Sequence, residues 1–255
     1  MYLYETHCHT SPVSRCATAT VEETVDFYKN AGYDGIFITN HYLDSNIGID
    51  FNEPYEKKLD FYFSAYYTAL EYGKKIGLKV FPGVEISTGG TDFLIYNLPE
   101  SWYYEHPETM NLKKSQLLQL MLNDGALVVQ AHPFREASYI DHIRLFPRCI
   151  QAVEIINANR KPFENEMAKI YAEAYGLKPF AGSDNHSANR QKIFAGLMSE
   201  SPLTDVADFK QRVLNGEMQH ALSNEDKMKV FNMKILMMVL LNLKMVIIRI
   251  ARQII

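Results

Sequence analysis

Tyr2-Leu3-Tyr4-Glu5-Thr6-His7-Cys8-His9, directly after Met1, is a run that begins apolar and ends in two histidines, two residues apart. In extended backbone, residues i and i+2 point to the same face. Tyr2 to Thr6 therefore reads as a strand that delivers two imidazoles to one point in space, the first requirement of a metal site. Two such histidines on their own can simply be surface residues. Their weight comes from repetition, because further strand-like runs also end in ligand-type side chains.

Reading outward, Thr20 suits a helix N-cap, with Glu22 and Glu23 in the first turn of a helix to about Asn30. Ala31-Gly32 ends it. Gly35 to Thr39 reads as a second strand. A polar loop, Leu43 to Asn52, leads to a long helix from about Pro54 to Ile76, with Tyr55, Leu59, Tyr62, Tyr66, Leu70 and Gly73 near one face. Strands are predicted at Leu78 to Pro82, Ala126 to Gln130, Ala152 to Ile156, Pro179 to Ala181 and Ile193 to Met198, with a short additional one at Phe93 to Tyr96. Helices are predicted at Lys113 to Asn123, Ser138 to Phe146, Pro162 to Tyr175 and Thr204 to Leu214. Alternating strands and helices, joined by connections too long for hairpins, predict parallel strands with helical crossovers. No G-x-G-x-x-G follows the first strand, which favours a closed or distorted barrel over an open Rossmann sheet.

A chain of 255 residues suffices for one large domain, and a barrel of alternating strands and helices commonly uses this length. Hydrophobic content of 47% with 22% charged residues predicts a folded body. Acidic and polar residues among the first ten argue against a signal peptide. Cys8, Cys16 and Cys149 are too few and too scattered for a disulfide framework, so a reducing cytoplasm is the expected location. Net charge is −4, yet six Lys and Arg residues and no acid follow Asp226, so the body before them carries −10. An acidic body argues against charge-driven binding of long nucleic acid and leaves room for a small anionic substrate. Composition divides the chain into a barrel domain, 1–223, and a tail, 224–255. The tail is expected to be a helix that covers the barrel or a partner subunit. Its longest uncharged run, Ile235 to Leu243, is too short to span a bilayer.

In a parallel barrel all strand C-termini share one rim, and that rim holds the active site. Here the strand ends carry His7 and His9, then Asn40-His41, Glu85, Ala131-His132-Pro133, Glu154 near Asn157, and Gly182-Ser183-Asp184-Asn185-His186, while Asp92 begins the additional strand. Packed together without a cation, such carboxylates would repel one another. His106, His142 and His220 fall in loop or helix contexts and read as surface residues. Arg15, Arg135, Arg160 and Arg190 lie a few residues beyond ligand-bearing segments and are candidates to contact a substrate phosphate, with Lys161 as a weaker one.

The series His7-x-His9, Thr39-Asn40-His41, Gly83-Val84-Glu85, Ala131-His132-Pro133 and Gly182-Ser183-Asp184-Asn185-His186 resembles the PHP (polymerase and histidinol phosphatase) family. The resemblance runs from about Tyr2 to Met198. It implies an α/β fold, a distorted (β/α)7 TIM-like barrel, holding two or three divalent metal ions (Zn, Mn or Fe) and hydrolysing phosphoesters. By the resemblance, His7, His9, Glu85 and Asp184 would hold a first metal. Glu85 would bridge to a second, held with His132 and with Asp92, where the family usually has histidine. His41 and His186 would hold a third. The remaining ligand of that third site is expected on or beside Arg15, which cannot ligate. The third site is therefore expected to be weak or empty, with Cys16 read as a small packed residue rather than a thiolate ligand. Asn40 stands where an aspartate is common.

The reaction implied is hydrolysis of a small phosphate ester, such as histidinol phosphate or a nucleotide, by water that the metals activate. Glu85, Asp184 and His186 are the candidate catalytic residues, with Asp184 or His186 as proton carrier. Two alternatives are an amidohydrolase-type hydrolase and a non-catalytic domain that binds a phosphorylated ligand. An amidohydrolase commonly bridges its metals with a modified lysine, whereas Lys79 lies near the start of its strand, away from the rim.

Overall fold

A computed structural model of the chain describes residues 1–224. Helix α1 (Val21–Asn30) starts as its sequence dictates: Thr20 accepts from the Glu23 backbone, and the Glu23 carboxylate accepts from the Thr20 N–H, a reciprocal cap. Helix α2 (Tyr55–Ile76) stops at Gly77, which adopts left-handed backbone, and α5 (Pro162–Tyr175) stops the same way at Gly176. Helices α3 (Glu100–Glu105), α4 (Lys114–Asn123) and α6 (Val206–Asn215) complete the set described.

The strands form two five-stranded sheets rather than the expected closed barrel. One sheet holds β1 (Tyr2–Cys8), β2 (Gly35–Ile38), β3 (Lys79–Pro82), β9 (Ile193–Ser199) and β10 (Gln219–Asn224), in the order β10-β9-β1-β2-β3. The other runs in chain order through β4 (Val84–Thr88), β5 (Thr91–Tyr96), β6 (Leu127–Ala131), β7 (Ala152–Asn157) and β8 (Lys178–Gly182). Antiparallel pairing explains the open seam. β9 occupies the edge of β1 at Tyr2, Leu3 and Tyr4; beyond it Thr6 Oγ1 donates to Ala181 O of β8, and Cys8 bridges Asn185, just past the end of β8. At the other seam, β3 passes straight into β4, and His41↔Glu85 is an isolated bridge. The two sheets are thus stitched together where the candidate ligand residues sit.

The expectation of parallel strands fails in four pairs, β4–β5, β5–β6, β1–β9 and β9–β10. Thr88-Gly89-Gly90-Thr91 is a two-residue hairpin whose glycines both have positive φ, 54° and 79°, and it folds β4 back on β5. β9 and β10 are likewise antiparallel. β10 also carries the half-buried His220, which the sequence placed in a loop or helix. The predicted helix Ser138–Phe146 is irregular instead. Gln130 bonds Arg144 O and Phe146 N, and Arg144 bonds Gly89 O, so these contacts hold the segment across the hairpin and β6. The expected tail helix lies outside the described residues.

Alternation along the strands feeds two cores. Tyr4, Phe37, Phe81, Leu94, Tyr96, Val129 and Phe180 point into a core shared by both sheets, which Phe209 and Val213 of α6 also enter. Phe209 packs on Phe37 and Tyr96, with ring centroids 4.4 and 5.4 Å away. Leu3, Ile36, Ile38, Val80, Phe93, Ile95, Val128 and Val153 point the opposite way and belong to the core built with the outer helices. Among the described residues no helix is long and apolar enough to cross a membrane.

Candidate metal centre

Five histidines and two carboxylates converge where the sheets meet. Glu85 and Asp184 are the hub. Glu85 Oε1 lies 3.2 Å from His7 Nε2 and 3.6 Å from His132 Nε2. Its Oε2 lies 2.6 Å from His41 Nδ1 and 3.5 Å from His9 Nε2. Asp184 Oδ1 faces His7, His9 and His186 at 3.6, 3.5 and 3.4 Å, and Oδ2 faces His132 at 3.8 Å. His132 and Asp184 both hold positive φ, 26° and 53°, a backbone that costs energy in residues with a side chain and often marks a functional site.

Hydrogen bonds fix which imidazole nitrogen is free. His7 Nδ1 bonds Glu154 Oε1 at 2.9 Å, His9 Nδ1 bonds Ser14 Oγ at 3.1 Å, and His186 Nδ1 bonds the Asp184 carbonyl at 3.0 Å. A carbonyl or carboxylate can only accept. Ser14 already donates to Asn40 Oδ1, so it accepts from His9 and from the His41 N–H. Each of the three rings therefore spends its Nδ1 proton on an outer partner and turns the Nε2 lone pair inward, the arrangement of metal-ligating histidines. Ser14 and Glu154 were not singled out in these roles by the sequence. Glu154 was visible only as an acid on its strand, and Ser14 carries no signal before the loop is folded. Asn40 acts on His9 through Ser14.

The centre fits a cation. His7 Nε2, His9 Nε2 and His132 Nδ1 are buried without a hydrogen-bond partner, and His41 Nδ1 and Glu85 Oε2 meet at 2.6 Å without hydrogen-bond geometry. Orphaned buried polar atoms are costly, and metal ions satisfy them. One nitrogen or oxygen from each member lies within 4.8 Å of the others in three sets: His7, Glu85 and His132; His7, His9 and Asp184; His9, His41 and His186.

Electrostatics agree. Burial opposes the charge on His7, but Glu154, Asp184 and Glu85 hold its imidazolium well above its ordinary pKa. Burial likewise opposes charge on Glu85 and Asp184, yet neighbouring histidines, His41 foremost for Glu85 and His7 for Asp184, hold both well below the usual carboxylate range. Burial, then His186 and His41, push His9 well down. Glu5, just behind the centre, accepts from the backbone of His7 and Ser183, and burial raises it to about 7.

A cavity of about 480 Å³ opens onto the centre, lined by His41, Glu85, Asp92, His132, Asp184 and His186 together with Cys16, Tyr139, Arg135 and Arg160. Arg135 lies 3.5 Å from Asp92, and Arg160 lies 3.9 Å from Asp184. Asp92 Oδ2 is 3.7 Å from His132 Nδ1 but stands outside the three sets of converging donor atoms. Arg15 and Arg190 do not line this cavity. Arg15 stacks over the exposed Phe51 ring, and Arg190 borders a separate hollow with Glu23 and Asp26. Lys161 stacks over Phe163. Cys16 is exposed, not packed as expected. Against the cost of burial, the nearby His186 and His41 imidazoles lower its thiol to about 6.

No family profile and no curated protein matches the chain. Solved structures do share its fold. A two-domain protein from Bacteroides vulgatus containing a predicted PHP-like metal-dependent phosphoesterase aligns with a TM-score of 0.65 at 15% identity, over 86% of this chain and 64% of that one. The chain thus spans less than two-thirds of that protein. A provisionally named metal-dependent phosphoesterase from Bifidobacterium adolescentis aligns with a TM-score of 0.51 at 14% identity, over 82% of this chain and 94% of that one. An amidohydrolase from Chromobacterium violaceum, with sulfate and no metal, aligns with a TM-score of 0.51 at 13% identity, over 85% of this chain and 97% of that one. At these identities the likeness is one of fold.

Proposed function

We propose that this chain is a metal-dependent phosphoesterase acting on a small phosphate ester, built on an opened version of the TIM-like barrel that its sequence suggests. One observation carries the reading: inward-facing, unpartnered histidine nitrogens surround Glu85 and Asp184 at the floor of a cavity walled by Arg135 and Arg160. His7, His9, His41, Glu85, His132, Asp184 and His186 would hold two or three divalent cations, with Asp92 beside His132. Such cations supply Lewis acidity and a nucleophilic water near neutral pH.

The chain's own residues do the rest. Arg135 and Arg160 are each only part-neutralised by one carboxylate, which leaves guanidinium N–H groups for phosphoryl oxygens. Bidentate donors there would orient the ester and offset charge that builds on its oxygens. Asp184, held ionised, would accept a proton rather than donate one. The cavity size suits a small ester, in keeping with the acidic body.

A second reading, an amidohydrolase, is favoured by the Chromobacterium violaceum fold neighbour. Against it, among the described residues that line the cavity none is a lysine, and Lys79 bonds Leu203 O. The test is a panel of phosphomonoesters, phosphodiesters, amides and lactones, run on protein reloaded with Zn, Mn or Fe(II). Turnover of phosphoesters alone is expected. Turnover confined to amides or lactones, or tight binding of phosphoesters without turnover, would overturn the proposal.

A further inference from the structure

Asp92 faces Ala131 in the β5–β6 register, one residue short of His132. Beyond that point the chain turns, and the Arg135 N–H donates to His132 O at 2.9 Å, which keeps the arginine next to the histidine. Asp92 is buried and approaches both with one oxygen. Its Oδ2 accepts from Arg135 Nη2 at 3.5 Å and lies 3.7 Å from His132 Nδ1. The other nitrogen of that ring, Nε2, is the one that meets Glu85 and Asp184. Asp92 therefore stands on the outer side of His132, as Glu154 stands on the outer side of His7. Arg135 is held from a second side as well. Its Nη1 donates to Tyr139 Oη at 2.5 Å, and its guanidinium carbon lies 5.3 Å from the centre of the Tyr139 ring. Its Nε–H is buried with no partner, a donor in need of an acceptor. Asp92, His132, Arg135 and Tyr139 all line the cavity.

We propose that Asp92 is a positioning residue and not a metal ligand: together with Tyr139 it fixes Arg135 as the clamp for a phosphoryl group. This rests on the metal-dependent phosphoesterase reading of the same cavity. It takes Asp92 off the second metal, where the sequence resemblance had put it. A guanidinium recognises phosphate through its planar fork, so the plane must be held still for the contact to be bidentate. Asp92 holds one terminal nitrogen and Tyr139 the other, while Nε–H stays free for a phosphoryl oxygen. A cation beside His132 then has one protein donor fewer and more room for a substrate oxygen, the pattern of catalytic metal sites. Asp92 also joins the two halves of the site, since the same oxygen lies beside a candidate metal ligand and the arginine that would meet the ester.

The test uses the full chain at saturating zinc, with inorganic orthophosphate as the probe. Asp92→Ala should keep the zinc content of the unmutated chain and weaken orthophosphate binding about tenfold by calorimetry, the scale of one charge-assisted bond. In an Arg135→Ala background the same change should not weaken binding, because only the repulsion between Asp92 and the anion is then removed. Tyr139→Phe, at an exposed ring, should weaken orthophosphate binding with zinc content unchanged. Crystals of the zinc-loaded unmutated chain should show no zinc bonded to Asp92, so the inference does not depend on a variant that folds. A zinc–oxygen bond of roughly 2.0–2.2 Å to Asp92, loss of zinc or unchanged orthophosphate binding in folded Asp92→Ala, or weakening that persists without Arg135 would overturn the role of Asp92 while leaving the phosphoesterase reading standing. Zinc-loaded protein that binds no orthophosphate would overturn both.

Discussion

Replacing Glu154 with glutamine should weaken metal binding although Glu154 itself holds no metal. Its Oε1 accepts from His7 Nδ1 at 2.9 Å, and its Oε2 accepts from the His132 N–H at 3.0 Å and from Asn157 Nδ2 at 2.8 Å. Glutamine has one oxygen to offer these three donors. If the oxygen faces His132 and Asn157, two bonds survive and the amide N–H points at His7 Nδ1. His7 must then accept there and carry its proton on Nε2, which removes the inward lone pair. If the oxygen faces His7 instead, the amide N–H groups meet two other donors in a buried site, at about 1–3 kcal/mol for each group left unsatisfied. Either way the ligand set is damaged. Outer partners of ligating histidines are worth roughly 10–100-fold in metal affinity, which corresponds to about 1.4–2.7 kcal/mol. The assay is competition with a chromophoric chelator, using matched metal-free unfolding curves as a control on the fold. In a double-mutant cycle with His7→Ala, Glu154→Gln should add little, because both act on one lone pair. Unchanged affinity in a folded Glu154→Gln protein, or full additivity with His7→Ala, would refute the tautomer argument.

Other substitutions test other parts of the account. Glu5 has a folded-state pKa of about 7 against an ordinary 4.5, so the metal-free fold should lose about 3 kcal/mol as pH rises through that window and nothing further above it. Glu5→Gln should therefore gain on the unmutated protein between pH 5 and pH 8 in denaturant unfolding; a pH-independent difference would contradict this. A Cβ on Gly182 would meet His7 Cβ at 2.5 Å and Glu154 Oε1 at 2.8 Å, so Gly182→Ala should lose metal in the same chelator assay. Arg160→Ala should lower kcat/KM for a phosphoester by about 10–100-fold, the worth of one charge-assisted bond, with metal content unchanged by elemental analysis.

Much of the architecture was legible because it depends on local rules. The Thr20 cap, the glycine stops and the period-2 strands follow from chain neighbours alone, and so does the placing of histidines and carboxylates at strand ends. The open seam was not legible, since it depends on β9 taking the edge of β1, a pairing between residues far apart in sequence. The Gly89-Gly90 turn did carry a signal, since two glycines between extended runs are a hairpin connection. Sequence proximity did not say where Arg15 and Arg190 would sit in the fold. Both follow ligand segments by a few residues, but Phe51 holds one, and the other borders the hollow beside Glu23 and Asp26. Cys16 lines the cavity with His41 and His186, which lie 25 and 170 residues away along the chain, so no local pattern shows that proximity.

The central claim is that Glu85, reached from both of its oxygens by four histidines, holds together a hydrolytic metal centre. Metal content and phosphoester turnover, measured on one preparation of Glu85→Ala beside the unmutated chain, test it most directly. The account predicts that bound metal and turnover are lost together in a protein that remains folded. Full turnover by Glu85→Ala protein stripped of metal would contradict it.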